Sequence, residues 1–308
     1  MRAAGIRAAS DPVELIDVAD PRPLASDEAL IDVKAAGVAG WDALVRDGDW
    51  DVGISPPMAL GTEAAGVIVG VGSDAGRWAE GDAVLTHPLP LRHQGTWAPQ
   101  LIAPAATLAR KPPAVPWDKA AAFPVPALTA EQTLGEALQL GAGETLLVNG
   151  AGGVTGSLLV GLGAALGAEV TALASPSSHA RLESVGAAHV LDYHDPAWVD
   201  RARELAGLGF DAAVNAVPGG AGTTIGALRP GGRLATITSD PPDRQRGITV
   251  SSVYVRPDGA QLERLAELLA TGRLTIEVGC MFPLDQAATA LETALSGNSG
   301  GRAVVIAP

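Results

Sequence analysis

The chain has 308 residues, 47% of them apolar and 18% charged, which suits about two domains with large cores and argues against disorder. Its formal charge of −13 excludes nucleic-acid backbones and anionic membranes as partners, while a local pocket can still take a small anion. The single Cys280 excludes an intrachain disulfide and any multi-cysteine metal site. The opening MRAAGIRAAS reaches Asp11 and Glu14 without an apolar core, and no apolar run is long enough for a bilayer, so a cytoplasmic protein is expected.

In chain order, residues 28–38, 65–72, 81–87 and 96–110 are expected to be short strands, rich in β-branched residues and broken by Gly, Pro and Asp. They suggest a β-rich first domain reaching to about residue 120. A Pro-rich stretch at 111–116 leads into a helix over 117–122. From Glu144 the pattern changes to strand, glycine loop, helix, strand: ETLLV, NGAGG, VTGSLLVGLGAALG, AEVTALA. Further strands are expected at 189–193, 210–217, 232–238 and 248–255. Strands alternating with helical segments imply right-handed crossovers and a parallel, doubly wound sheet.

The tail should hold a helix after Asp258, an N-cap, with Leu262, Leu265, Ala266 and Leu269 on one face and Gly272 as its stop. A second helical stretch at 285–295 and a closing strand, RAVVIAP, complete the pattern. Two helices and one strand cannot easily finish a doubly wound sheet, so the tail should fold back onto the first domain. There is no fixed-period internal repeat.

The most specific local signal is Ala151-Gly152-Gly153-Val154-Thr155-Gly156, directly after the strand that ends at Asn149. It is an A-x-G-x-x-G variant of the dinucleotide fingerprint. Small residues let the turn be tight, the backbone approach a pyrophosphate, and the helix pack close on the strand. The helix N-terminus offers free N–H groups and partial positive charge to the phosphates. About 20 positions past the glycines, where an NAD enzyme places an acid, stands Ser175. No carboxylate is there to repel a 2′-phosphate, and His179 and Arg181 follow, so NADPH is expected rather than NADH. Alternatively, Arg181 is a solvated helix residue near Glu183.

Six segments occur in order: Gly61-Thr-Glu-Ala-Ala-Gly-Val-Ile68, Phe123-Pro-Val-Pro-Ala-Leu-Thr-Ala130, AGGVTG, Gly186-Ala-Ala-His-Val-Leu-Asp-Tyr193, Arg229-Pro-Gly-Gly-Arg-Leu234 and GGRAVV. Together, over essentially the whole chain, they resemble the medium-chain dehydrogenase/reductases, in the quinone oxidoreductase (zeta-crystallin-like) branch. The resemblance implies an α/β fold in which a Rossmann doubly wound parallel sheet, residues 121–256, is inserted in a GroES-like β-rich catalytic domain of residues 1–120 and 257–308. It implies that Thr129 lies near the nicotinamide half of the cofactor, and Ser175 and Tyr193 beside the adenosine 2′-phosphate. Tyr193 could instead be a half-buried aromatic closing a strand. Asn215 and Thr238 should flank the nicotinamide, because ligands sit at the carboxyl ends of such strands.

The departures from the family pattern matter as much. Zinc alcohol dehydrogenases have His where this chain has Thr62, and their first Cys ligand matches Ala39. A third ligand would fall around residues 124–126, where no thiol exists, and the four-cysteine lobe is missing. No metal is expected, since a catalytic zinc needs about three protein ligands. The quinone-reductase motif N-x-x-D-x-x-x-R-x-G keeps Asp42, Arg46 and Gly48, but its Asn is Ala39, and the Tyr often found two after the Asp is Leu44.

Without a Lewis acid, a conjugated acceptor is easier to reduce than an isolated ketone, because charge spreads onto an oxygen that hydrogen-bond donors can hold. The expected activity is NADPH-dependent hydride transfer to a carbonyl-conjugated C=C or to a quinone. Trp41, Asp42 and Arg46 are the candidate catalytic-pocket residues, with Trp41 an aromatic wall. Arg46 could bind a substrate oxygen or pair with Asp42 across one helical turn. His87 and His93 are possible proton donors, each with a structural alternative, and solvent is another source. Other readings are a zinc-free alcohol dehydrogenase or imine reductase, possibly a tailoring enzyme of secondary metabolism, or an NADPH-binding protein without turnover. The expected partners are a small-molecule substrate and a second copy of the chain, a homodimer formed along the β-rich ITVSSVYV edge.

Overall fold

A computed structural model describes residues 1–308 as two compact units. One comprises residues 1–128, 256–271 and 276–308, and the other residues 129–255 and 272–275. The division falls within one helix, at Leu128 and Thr129, rather than near residue 120.

The first unit begins with β1 (Arg2–Ile6), β2 (Glu14–Asp17), β3 (Glu28–Val38), α1 (Gly40–Asp47), β4 (Met58–Ala59), β5 (Ala64–Val71) and β6 (Ala83–Thr86). β7 (Gln100–Pro104), β8 (Leu108–Arg110), α2 (Trp117–Ala121) and α3 (Pro124–Glu131) follow. β3 is the spine: β5 pairs antiparallel along it, with β6 and then β8 beyond, and β7 also pairs with β3. The strand expected over 96–110 is two strands. Pro104 has no N–H for the ladder, and Thr107 Oγ1 donates to its carbonyl at 2.9 Å, bending the chain through a 3₁₀ turn at Ala105–Thr107. A three-stranded sheet, β2–β1–β4, lies outside the expected strands, because RAAGI carries little β signal. Gly5 lets β1 lie against β4, since a Cβ there would sit 2.0 Å from the Met58 carbonyl oxygen.

The second unit contains β9 (Thr145–Asn149), α4 (Val154–Ala165), β10 (Glu169–Ala174), α5 (His179–Ser184), β11 (His189–Asp192) and α6 (Trp198–Leu205). It continues with β12 (Phe210–Asn215), α7 (Ala221–Thr224), β13 (Leu228–Thr236) and β14 (Thr249–Ser252). All six strands are parallel, in the order β11–β10–β9–β12–β13–β14. The order reverses between β9 and β12, the switch point where doubly wound sheets bind ligands. β9 and β12 read as apolar runs because both faces are covered: Leu146, Leu147, Val148, Ala212, Ala213 and Val214 are all fully buried.

The chain then returns to the first unit as α8 (Gly259–Ala270), β15 (Val278–Pro283), α9 (Ala287–Leu295) and β16 (Ala303–Ala307). Asp258 caps α8, its Oδ1 accepting from Gln261 N–H at 2.8 Å. β16 pairs antiparallel with β3, Val305 opposite Gly37, and parallel with β15. The tail does fold back, with one more strand than expected. β15 was missed because VGCMFP carries a glycine, a proline and a half-exposed methionine.

Candidate active site

The second unit carries the glycine loop singled out in the sequence. β9 ends at Asn149, and Gly150 takes φ +83°, a left-handed bend where a Cβ would lie 2.8 Å from Val217 Cγ2. A Cβ on Gly156 would meet the Gly150 carbonyl oxygen at 2.1 Å, so only glycine allows α4 to press on the bend. Gly153 is the N-cap of α4, with extended backbone and no side-chain hydrogen bond to the first-turn N–H groups. A Cβ on Gly153 would find nothing nearer than 3.7 Å, which leaves open backbone at a positive helix end. Val154 and Thr155 begin the helix and are partly exposed. Gly150, outside the Ala151–Gly156 fingerprint, is marked in the sequence by the Asn-Gly pair at the strand end.

Arg181 is not a free surface group: its Nη2 donates to the Gly152 carbonyl at 2.6 Å, tying α5 to the glycine loop. Ser175 follows the end of β10, its Oγ 3.0 Å from Ser177 Oγ. Tyr193 lies past the end of β11, half exposed, with its ring 4.0 Å from that of His194. The neighbouring Asp192 accepts from the His194 backbone N–H at 3.0 Å and the ring Nδ1 at 2.7 Å, which holds its carboxyl below the usual range. Ser175, Arg181, Tyr193 and the loop glycines therefore sit on the β9–β10–β11 side of the sheet.

The other side carries a polar network at the carboxyl ends of β9, β12 and β13. Asn215 is fully buried; its Oδ1 accepts from Asn149 Nδ2 at 3.0 Å, and its Nδ2 donates to the Val217 carbonyl at 2.9 Å and to Thr238 Oγ1 at 3.0 Å. Asn149 Nδ2 also donates to Thr224 Oγ1 at 2.9 Å. The network ends at Asp240, which sequence reasoning missed because Ser-Asp-Pro-Pro-Asp reads as a plain loop. Its Oδ1 accepts from Thr236 Oγ1 at 2.5 Å and from Thr238 Oγ1 at 2.6 Å. Burial pushes the Asp240 carboxyl up, but donation by Thr236, Thr238 and the Ala221 N–H outweighs it and holds the group below its usual range. Thr129 lies in α3 and is 8% exposed.

In the first unit, the end of β3, the start of β5 and the end of β6 lie on one rim of the sheet, since Ala36 pairs with Ala64 and Ala64 with Thr86. The rim carries Trp41, Asp42, Thr62, Glu63 and His87. Asp42 is fully buried and reaches back to cap α1, its Oδ2 accepting from Ala39 N–H at 2.8 Å while Oδ1 has no partner. Burial pushes its carboxyl up to about 8. Glu63 is buried too, accepting from Val125 N–H at 2.8 Å; burial raises its carboxyl well above the usual range, and the nearby Asp42 raises it further. With no cation beside it, Asp42 keeps its proton at neutral pH, and Glu63 is pushed the same way.

Arg46 does not pair with Asp42. Its Nε and Nη2 hold Asp47 at 2.8 and 2.9 Å, because the Asp42 side chain turns inward to the start of α1. His87 is fully buried, and its Nδ1 donates to the Thr62 carbonyl at 2.7 Å. Burial lowers its pKa to about 4, so the ring is neutral and Nε2 keeps a lone pair. A neutral ring of this tautomer accepts at Nε2 and has no proton there to donate, which corrects the expectation of a proton donor. His93 Nε2 donates to the carbonyls of Ala19 and Asp20, at 3.2 and 3.0 Å, away from the rim. Trp41 Nε1 and Thr62 Oγ1 are buried donors without partners.

A family model described as an alcohol dehydrogenase GroES-like domain matches residues 25–113, and one described as a zinc-binding dehydrogenase matches residues 185–305. The chain is 35% identical over 202 residues to the erythronolide synthase EryA2 of Saccharopolyspora erythraea, covering 64% of this chain and 5% of that protein. It is 31% identical over 207 residues to the synaptic vesicle membrane protein VAT-1 homolog of Mus musculus, covering 66% of this chain and 50% of that protein. The quinone oxidoreductase of Pongo abelii is 26% identical over 92% of this chain and 89% of its own length. Thus the chain spans half the length or less of the first two relatives and most of the third.

Among solved structures, an NAD-dependent alcohol dehydrogenase superposes with TM-score 0.89 at 27% identity, covering both chains fully. The quinone oxidoreductase from Coxiella burnetii gives 0.86 at 25% identity, over 100% of this chain and 99% of that one. A mycobacterial protein solved in complex with NADPH gives 0.86 at 26% identity over both whole chains. The chain belongs to the medium-chain dehydrogenase/reductases, in their quinone oxidoreductase-like branch.

The glycine bend and open helix end described above fit a dinucleotide. Zinc does not fit. No group of three or more His, Cys, Asp or Glu side chains is placed to hold a metal, and the ligand positions carry Ala39, Thr62 and, at the third, residues 124–126 without a thiol. No helix is long and apolar enough to cross a membrane.

Proposed function

We propose that this chain is an NADPH-dependent reductase that delivers hydride to a carbonyl-conjugated C=C or to a quinone, without zinc. The observation that carries the reading is the glycine bend of Gly150 and Gly156 at an uncapped helix start, with Arg181 fastened to it. Arg181 and the absence of an acid at Ser175 favour a 2′-phosphate, while Asp192 one strand over opposes it; the bidentate capacity of Arg tips the balance. When bound, the dinucleotide supplies the hydride from its nicotinamide ring. Gly153, Val154 and Thr155 would take the pyrophosphate, Arg181, Ser175 and Tyr193 the adenosine end, and Thr129, Asn215 and Thr238 the nicotinamide end.

On the rim of the first unit, Trp41 Nε1 and Thr62 Oγ1 are donors suited to a substrate carbonyl oxygen, on which charge develops as hydride arrives at carbon. Neither His87 nor the capping Asp42 is set to deliver a proton, and solvent provides it. A second copy is expected to pair along β14, the strand at one edge of the six-stranded sheet, and the protein is expected to act in the cytoplasm.

Titrating the metal-analysed protein with NADPH and NADH, then following NADPH oxidation with an enone, a quinone, a ketone and a cyclic imine, tests the reading. Tighter NADPH binding with turnover of enone or quinone is expected. Turnover of only ketone or imine, binding without turnover, or stoichiometric zinc in the active protein overturns it. Small-angle scattering giving a monomer mass would remove the second copy.

A further inference from the structure

Asp240 is the one carboxylate in the network at the carboxyl ends of β9, β12 and β13. Three observations set it apart. It makes no ion pair: its partners are the hydroxyls of Thr236 and Thr238, the Asn215 amide at 3.3 and 3.4 Å, and the Ala221 N–H at 3.4 Å, all uncharged. It is aimed inward by Ser239, a non-glycine residue at φ +57°, a strained left-handed conformation that turns the chain back onto the strand ends. It remains partly exposed, so its charge is neither neutralised nor sealed away. A loop needing only an anchor could use serine or asparagine here, with no charge to desolvate.

We infer that Asp240 is a cofactor-tuning residue whose fixed negative charge makes the site favour the oxidised, positively charged nicotinamide over the neutral reduced ring. The inference deepens the proposed function and rests on it, because it takes the nicotinamide to lie at these strand ends, beside Asn215 and Thr238. The two redox forms share their phosphates and ribose groups, so those contacts cancel when the affinities are compared. They differ by one unit of charge on the ring, and a carboxylate facing it distinguishes them. The hydroxyls of Thr236 and Thr238 keep the charge in place and ionised at neutral pH. Tighter holding of the oxidised form also makes the bound reduced cofactor a stronger hydride donor, by linkage.

The test is the ratio of dissociation constants, Kd(NADPH)/Kd(NADP+), measured by calorimetry or fluorescence quenching for the wild type and for Asp240→Asn. The ratio is expected to fall about tenfold in the variant, through weaker NADP+ binding, and to recover in Asp240→Glu. A role confined to anchoring the loop would weaken both forms equally and leave the ratio unchanged, which overturns the inference. Partial unfolding cancels in the ratio, and Asp240→Ala reads the same quantity should the Asn variant fail to fold. If the wild type binds neither nucleotide, the proposed function itself has failed; if it binds both and the ratio ignores Asp240, only this inference has.

Discussion

Asp42 and Arg181 are the residues whose chemistry most depends on their surroundings. An ordinary aspartate releases its proton near 3.8, but the buried Asp42 holds it up to about 8. Between those values the folded chain binds more protons than the unfolded chain, so stability falls as pH rises from about 4 to about 8 and stays low above. Asp42→Asn should flatten that slope, leaving the part due to Glu63, and melt higher than the parent at pH 9. A lower melting temperature than the parent at pH 9 would show that the fold does not penalise the charged carboxylate, and so does not raise its pKa. Arg181 braces the Gly152 carbonyl and is proposed to meet the adenosine end of the cofactor. Arg181→Ala should weaken NADPH about tenfold and NADH much less, measured by titration of both. Equal losses would reduce Arg181 to a loop brace.

Among the elements, the joint between β9 and α4 tolerates least. Its tightness comes from Gly150, held at positive φ, and from Gly156, whose hydrogen faces the Gly150 carbonyl. One methyl group at Gly156 has no flexible neighbour to displace, since the atoms it meets are backbone. Gly156→Ala should cost about 3 kcal/mol and abolish nucleotide binding, read from denaturant unfolding and titration. Full binding in this variant would mean that the bend can open without consequence. The α1 start shows the complementary case: Asp42, singled out from the sequence for a pocket, is used to cap the helix.

At the scale of the molecule, the last strand holds the first unit together. β16 lies between β15 and β3, so residues near the end of the chain complete a sheet begun near its start. Val305 is fully buried opposite Gly37. Val305→Asp would place an unpaired charge there, at about 4 kcal/mol, and limited proteolysis should cut residues 1–128 before the second unit. Cleavage starting in the β9–β14 sheet instead would show that the damage is not confined to the first unit.

The doubly wound sheet was legible in the sequence because its signals are local: apolar strands of the right length, a glycine turn between strand and helix, and punctuation in sequence order. β3 and β9 have the boundaries expected of them, and Asp258 caps the helix it was expected to cap. The strands β1, β4 and β15 were not legible, since each is short and owes its conformation to a partner distant in the chain. The same holds for the candidate site. The glycine loop could be read from its own residues. By contrast, the pairing of Arg46 with Asp47, the tautomer of His87 and the charge of Asp240 depend on groups that only the folded chain brings within hydrogen-bond reach. Backbone conformation is set largely by neighbours in sequence, whereas burial and hydrogen-bond partners, which fix protonation and charge, are set by neighbours in space.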